Sequence, residues 1–286
     1  MPSDTLEAEI KRLEAAGRRR LSKRDATRYN LHKNDLKRFA HYLGIEKLDD
    51  WQEKVLDSKS DRIILNCSRQ SGKSTCTAIM AVHHAIFNPN SMVIVISRIE
   101  AQSLEVFKRM SNYYKEVSYA PHATEDTSHS LKLSNGSRII ALSGQQPDSL
   151  RGYAGVSLLI IDEASRVLEE TYNVVRPTLA VSSGRVILLS TPHGRKGFFF
   201  ESWMEATDQY RDNLEGWESA SVTADEIPRI KPSFLKQERK KYPEWFYRQE
   251  YMCEFQDNIS NIFRSVHEAF EHVDADGEEW QFDIGL

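Results

Sequence analysis

The sequence predicts an α/β fold, a mostly parallel sheet covered by helices. Short runs that are apolar at every position, such as 158–161 (Leu-Leu-Ile-Ile) and 186–189 (Val-Ile-Leu-Leu), read as strands buried on both faces. Stretches with helical spacing separate these runs, which is the alternation that βα units require. A further apolar run at 62–66 passes through a polar, glycine-containing turn directly into a helix.

The elements follow in order. Residues 5–43 read as helix, with few breakers and many charges, ended by Gly44. Asp49 and Asp50 suit the cap of a short helix through Leu56. Residues 62–66 form the first strand, and 73–87 a helix stopped by Asn88-Pro89-Asn90. Residues 92–97 are apolar and β-branched, hence a strand, and 100–115 carry Leu104, Phe107 and Met110 at helical spacing. A hairpin is expected over 131–142 about Asn135-Gly136, a favoured turn pair. Strand 158–161, helix 168–180 and strand 186–189 complete the alternation. After Phe200 the character changes: a short strand at 220–222 precedes mostly helical, aromatic and charged sequence, with helices at 233–241 and 244–253, the second opened by Pro243.

Composition narrows the function. The 286 residues suffice for one large or two small domains, and 40% hydrophobic content excludes wholesale disorder. No run approaches the roughly 20 apolar residues of a membrane span, and the charged N-terminus shows no signal peptide. Cys67, Cys76 and Cys253 fit no zinc pattern, and their odd number points to a reducing compartment rather than a disulfide framework. A net charge of −4 excludes gripping nucleic acid by overall charge. Local basic runs remain, between Lys11 and Arg38 and at Lys236, Arg239, Lys240 and Lys241, and the stretch 268–283 is acidic. Each run taken alone also reads as a solvated helix face.

The sharpest chemical signal is Cys67-Ser68-Arg69-Gln70-Ser71-Gly72-Lys73-Ser74-Thr75 between a strand and a helix. Backbone N–H groups and a helix N-terminus bind phosphate at such a turn. Lys73 would reach the β- and γ-phosphates and the Ser74 hydroxyl would face Mg²⁺. Cys67 stands where the usual phosphate loop has its first glycine. Asp162 and Glu163 end the strand at 158–161, where a parallel sheet points its ligand crevice. Asp162 would hold Mg²⁺ through water, and Glu163 would orient or deprotonate an attacking water. Lys73 and Asp162 are thus expected to meet where the 62–66 and 158–161 strands finish side by side.

Weaker candidates surround this pair. Ser190, Thr191 and Pro192 follow the next strand and would sense the γ-phosphate from beside it. Trp51 and Gln52 would stack on and hydrogen-bond an adenine; they read equally as a core Trp and a surface Gln. Arg151, before the acid-bearing strand, could serve as an arginine finger, but on the residues alone an ordinary exposed Arg is the favoured reading. Arg69, inside the phosphate loop, must lie close to the phosphates or to whatever replaces them.

Together, the run 68–74, Ile160-Ile161-Asp162-Glu163, Ser190-Thr191-Pro192 and Asp50-Trp51-Gln52 resemble the ATPase domain of tailed-bacteriophage terminase large subunits, and 242–255 resembles that family's lid region. The family's phosphate loop also carries an Arg and lacks the first glycine. The resemblance implies an additional-strand (ASCE) P-loop ATPase with a small helical lid subdomain. It divides the chain into an N-terminal helical part of the lid at 1–48, an ATPase core at 49–208, the rest of the lid at 209–275, and a linker into an absent nuclease at 276–286. The expected activity is ATP hydrolysis, with Mg²⁺, driving viral double-stranded DNA into a procapsid. The implied roles are Glu163 as catalytic carboxylate, Arg69 coupling phosphate state to the lid, 190–192 as coupling motif, and Arg151 as a finger acting on a neighbouring subunit. Expected partners are duplex DNA, the portal protein, the terminase small subunit and further copies in a ring, a pentamer on the procapsid, with a monomer in solution and no membrane. The expected place is the host cytoplasm at the procapsid, not the mature virion. The competing readings are a superfamily-2-type helicase, which needs a second RecA-like domain, and a nucleotide-gated scaffold that does not hydrolyse, against which Glu163 speaks.

Overall fold

The computed structural model describes residues 22–208 and 211–256. The expected helix start near Thr5, the acidic stretch at 268–283 and the linker expected at 276–286 lie outside the described residues.

Two helices, α1 (Lys23–Lys33) and α2 (Leu36–Tyr42), stand where one long helix was expected. The break is local: the Asp35 side chain accepts the Arg38 backbone N–H and starts a new helix. Helix α3 (Asp50–Asp57) opens on Asp49 with a capping box. Strand β1 (Arg62–Cys67) leads into α4 (Lys73–Phe87), then β2 (Met92–Ser97) and α5 (Glu100–Glu116). An unpredicted strand β3 (Ala123–Asp126) precedes the expected hairpin of β4 (Ser130–Leu133) and β5 (Arg138–Ser143). Strand β6 (Leu158–Asp162), helix α6 (Glu169–Val175) with a 3₁₀ turn Arg176–Leu179, and β7 (Arg185–Ser190) follow. Helix α7 (Phe198–Thr207), also unpredicted, precedes β8 (Glu218–Val222), α8 (Pro232–Lys241) and α9 (Glu244–Glu250).

The eight strands form one sheet in the order β3-β4-β5-β2-β6-β7-β1-β8, antiparallel only at β3-β4-β5. This corrects one expectation: β1 and β6 do not finish side by side. Strand β7 lies between them, pairing Asn66 with Ser190 on one side and Asp162 with Leu189 on the other. The inserted strand brings three loop starts to one rim: the phosphate turn, the paired acids and Ser190.

Alternation along the central strands builds two cores. Ile63, Leu65, Ile160, Ile187 and Leu189 face α4 and α5, whereas Ile64, Leu159, Ile161, Val186 and Leu188 face α6 and α7. Burial on both faces explains the unbroken apolar runs. Helices α1 and α2 dock on the first face through Tyr29 and Phe39, whose rings meet Phe87 of α4. Helices α8 and α9 meet each other around Leu235, Tyr247 and Tyr251. Among the described residues, no helix is long and apolar enough to cross a membrane.

Candidate active site

Residues 68–72 turn tightly between β1 and α4. Gln70 (φ 60°) and Gly72 (φ 91°) are left-handed, and a Cβ on Gly72 would come within 2.8 Å of Gln52 Nε2. The left-handed backbone is what favours glycine there, since the neighbouring Gln52 amide is the movable end of a flexible side chain. The turn delivers Lys73 to the first helical position with 7% of its surface exposed. Its Nζ donates to the Ser68 carbonyl at 3.4 Å, a long bond that leaves ammonium donors free for an anion. Cys67 is fully buried, and burial pushes its thiol up to about 12, so it stays neutral beside the turn. Thr75 accepts a hydrogen bond from Arg109 of α5 at 2.6 Å.

The acids meet this turn. Ser74 Oγ donates to Asp162 Oδ2 at 3.0 Å, across the gap that β7 spans. Asp162 is buried; burial pushes its carboxyl up, nearby Lys73 pulls it down, Glu163 adds to the rise, and the net shift is upward. Glu163 is left-handed (φ 54°), its N–H held by Asp162 Oδ1 at 2.9 Å, so its half-buried side chain leaves the strand in a fixed direction. Beyond it, Ser165 Oγ lies 2.7 Å from Ser190 Oγ and donates to the Thr191 carbonyl at 2.8 Å. Ser190 and Thr191 are buried, and the Ser190 hydroxyl is committed to the turn after β6.

Asp49, Trp51 and Gln52 close the other side. Gln52 is buried, not a surface residue, and its Oε1 accepts the Asp49 N–H at 2.9 Å. That bond withdraws one of the two groups an adenine edge would need. Trp51 packs against the core, with its buried Nε1 lacking a hydrogen-bond partner among the described residues. Arg229, which the sequence reading missed, pairs with Asp49 at 2.7 Å and donates to the Ser71 carbonyl at 3.0 Å, bracing the turn from outside.

Arg151 lies apart. It is exposed, its Nε pairs with Asp148 at 3.1 Å, and it lines a separate surface cavity with Tyr153, Glu170 and Asn173. Arg69 reaches instead to Glu250 at the end of α9, Nε to Oε2 at 2.7 Å. The other Glu250 oxygen takes Arg166 at 3.0 Å, and the same guanidinium lies 3.8 Å from Glu163. Glu250 is only 1% exposed, and burial raises its carboxyl while Arg69 and Arg166 lower it further, for a net downward shift. Its signal in the sequence is an acid embedded in an aromatic run, 242–255, easily read as a lid helix and nothing more.

Comparison with known proteins agrees with this architecture. Residues 64–270 match the family model "Terminase large subunit, T4likevirus-type, N-terminal". The large terminase subunit of Thermus virus P23-45 is 26% identical over 241 residues, covering 73% of this chain and 49% of that one. That of Escherichia phage T5 is 26% identical over 223 residues, covering 77% and 49%. The chain thus spans about half the length of the curated relatives it matches. The ATPase domain of the Thermus phage P74-26 large terminase superposes with a TM-score of 0.68 at 23% identity, covering 77% of this chain and 98% of that chain. The large terminase of a thermophilic bacteriophage, solved in complex with ADP, superposes with a TM-score of 0.56 at 14% identity, covering 77% and 53%. The fold is the P-loop ASCE type, and the chain belongs to the terminase large subunit family, in its N-terminal T4likevirus-type region.

Proposed function

We propose that this chain binds and hydrolyses ATP, and that hydrolysis moves viral double-stranded DNA into a procapsid. The observation that carries the reading is the Ser74–Asp162 hydrogen bond at 3.0 Å beside buried Lys73, which joins the phosphate turn to the acid-bearing strand. The donor set fits Mg²⁺: one hydroxyl and one carboxylate, hard oxygens that leave room for phosphate and water. Ser74 and Asp162 would hold the ion, which when bound neutralises charge on the phosphate oxygens.

Each of the chain's own groups then has a task. Turn N–H groups and Lys73 hold the phosphates, the cation compensating their charge in a poorly solvated pocket. Glu163, outside the strand end and beside Arg166, orients the attacking water and accepts its proton. Ser190, tied to Ser165, links the acid-bearing turn to β7 and relays its position. Trp51 would flank the base, Gln52 supports the turn through the α3 cap, and Ser68, Gln70, Ser71 and Thr75 shape the phosphate turn. Arg151, remote from this site, suits a finger offered to another copy in a ring. Helices α8 and α9 serve as the lid, carrying Glu250 onto the phosphate turn. Duplex DNA, the portal protein and the small subunit are its proposed partners, with the host cytoplasm at the procapsid as the place of action. Nothing in the geometry favours the helicase or the non-hydrolysing scaffold.

Phosphate release with and without linear duplex DNA tests the proposal. Wild type is expected to release phosphate, faster with DNA, and Glu163→Gln to bind ATP yet release phosphate at least 100-fold more slowly. Equal rates for the two proteins would overturn it.

A further inference from the structure

Glu250 is placed differently from the other acids near the phosphate turn. Both of its oxygens are taken by guanidiniums from opposite sides of the candidate site: Arg69 from the phosphate turn and Arg166 from the turn after β6. Its neighbour Gln249 donates to the same oxygen as Arg166, at 3.2 Å. The backbone reinforces the position, because the Glu250 carbonyl accepts the Arg69 N–H at 3.4 Å. Downstream, Asn66 Nδ2 donates to the Cys253 carbonyl at 2.8 Å, and the Ala224 N–H to the Tyr251 carbonyl at 2.7 Å, so the end of α9 is stitched to the end of β1 and to the loop after β8.

Arg166 is the shared group. It sits 3.0 Å from Glu250 and 3.8 Å from Glu163, nearer to the acid that lies outside the proposed chemistry. We propose that Glu250 is a positioning residue: it draws Arg166 away from Glu163, keeping that carboxylate free to engage water, and it competes with bound phosphate for Arg69. This rests on the ATPase reading above. The logic is one of charge balance. Two cations flank three anionic claimants, namely Glu163, Glu250 and an incoming phosphate chain. A buried carboxylate holding both cations leaves Glu163 unclamped. Without that charge, Arg166 has Glu163 as its remaining acid partner and can close to a bidentate pair. The Glu163 backbone is fixed by its bond to Asp162, so such a pair would redirect the side chain alone. Arg69, released in the same step, becomes more available to phosphate, with Glu163 as its remaining carboxylate neighbour. Lid position and water activation are thereby joined through one carboxylate.

The test uses Glu250→Gln, which keeps the shape of the side chain, removes its charge and replaces one accepting oxygen by a donating amide, measured by ATP binding and by phosphate release at saturation. The expected result is a split: ATP binds at least 3-fold more tightly while kcat falls at least 10-fold. The double variant Glu250→Gln/Arg166→Ala is expected to recover at least 3-fold of that kcat, because the clamp on Glu163 is gone. A merely structural role would lower affinity and kcat together and give no recovery, and that result overturns the proposal. Glu250→Asp, which keeps the charge but shortens the arm, is expected to show the same split at smaller amplitude and serves if Glu250→Gln does not fold; no split in it also overturns the proposal. Absence of ATP binding and turnover in the wild type would sink the ATPase reading itself. A working wild type without the split removes only the role assigned to Glu250.

Discussion

At the residue scale, burial decides what each charged or titratable group can do. Lys73 and Asp162 are both buried, and loss of water holds the acid above its ordinary range although Lys73 pulls it down. The same cause acts on His83, buried in α4 with Nε2 2.9 Å from the His32 carbonyl; burial pushes it down to about 4. The unfolded chain takes up a proton near pH 6.5, the folded one only near 4, so the neutral imidazole stabilises the fold fully above 6.5 and that contribution is lost as pH falls from 6.5 to 4. The loss should approach about 3 kcal/mol. Urea unfolding at pH 7.5 and 5.0 should show a lower midpoint at 5.0, with a smaller difference in His83→Asn. Identical differences in both proteins would contradict this. Single-residue chemistry was only partly legible in the sequence. Lys73, Ser74, Asp162 and Glu163 were singled out because motif order specifies them, and the structure brings Ser74 and Lys73 to Asp162. The surface reading of Gln52 fails because residue type does not show that its oxygen caps its own helix. Glu250 and Arg229 were missed because their partners lie 181 and 180 residues away, in the loops around Arg69 and Asp49.

At the element scale, the strands with apolar residues on both faces and helix α4 stood out because two buried faces leave no polar positions and Gly72 marks a helix start. Strand β3 was invisible since all four residues are exposed and carry no apolar pattern. Helix α7 was hidden by three consecutive phenylalanines, which mask the helical period although its buried face is Phe198, Phe199 and Ser202. The single helix expected over 5–43 overlooked Asp35 as a cap. Caps matter here beyond local stability. Asp49 opens α3, holds Gln52 against the phosphate turn through their capping box, and pairs with Arg229. Asp49→Ala should cost about 1 kcal/mol in urea unfolding and also weaken ATP binding several-fold, because both braces of the turn loosen. Unchanged affinity with lowered stability would separate the cap from the site.

At the scale of the whole molecule, the inserted strand β7 sets the geometry. It separates the phosphate turn from the paired acids by one strand width and still lets Ser74 reach Asp162. That topology was implied by family resemblance, whereas the residue pattern alone pointed to adjacent strands, because buried parallel strands look alike in sequence and their order is set by crossovers. Arg151 pairs with Asp148 and lines a separate surface cavity, and its proposed action on another copy is open to test. Mixing Arg151→Ala with Lys73→Ala should restore ATP turnover above that of either protein alone, since one supplies an intact pocket and the other an intact Arg. A mixture no more active than its parts would remove a finger acting from this position. The most direct test of the central claim is equilibrium binding of ATP with and without Mg²⁺. Wild type should bind more tightly with Mg²⁺, Asp162→Asn should lose most of that difference while still binding, and Lys73→Ala should lose affinity in both conditions; equal affinity in all three proteins, indifferent to Mg²⁺, would contradict the account.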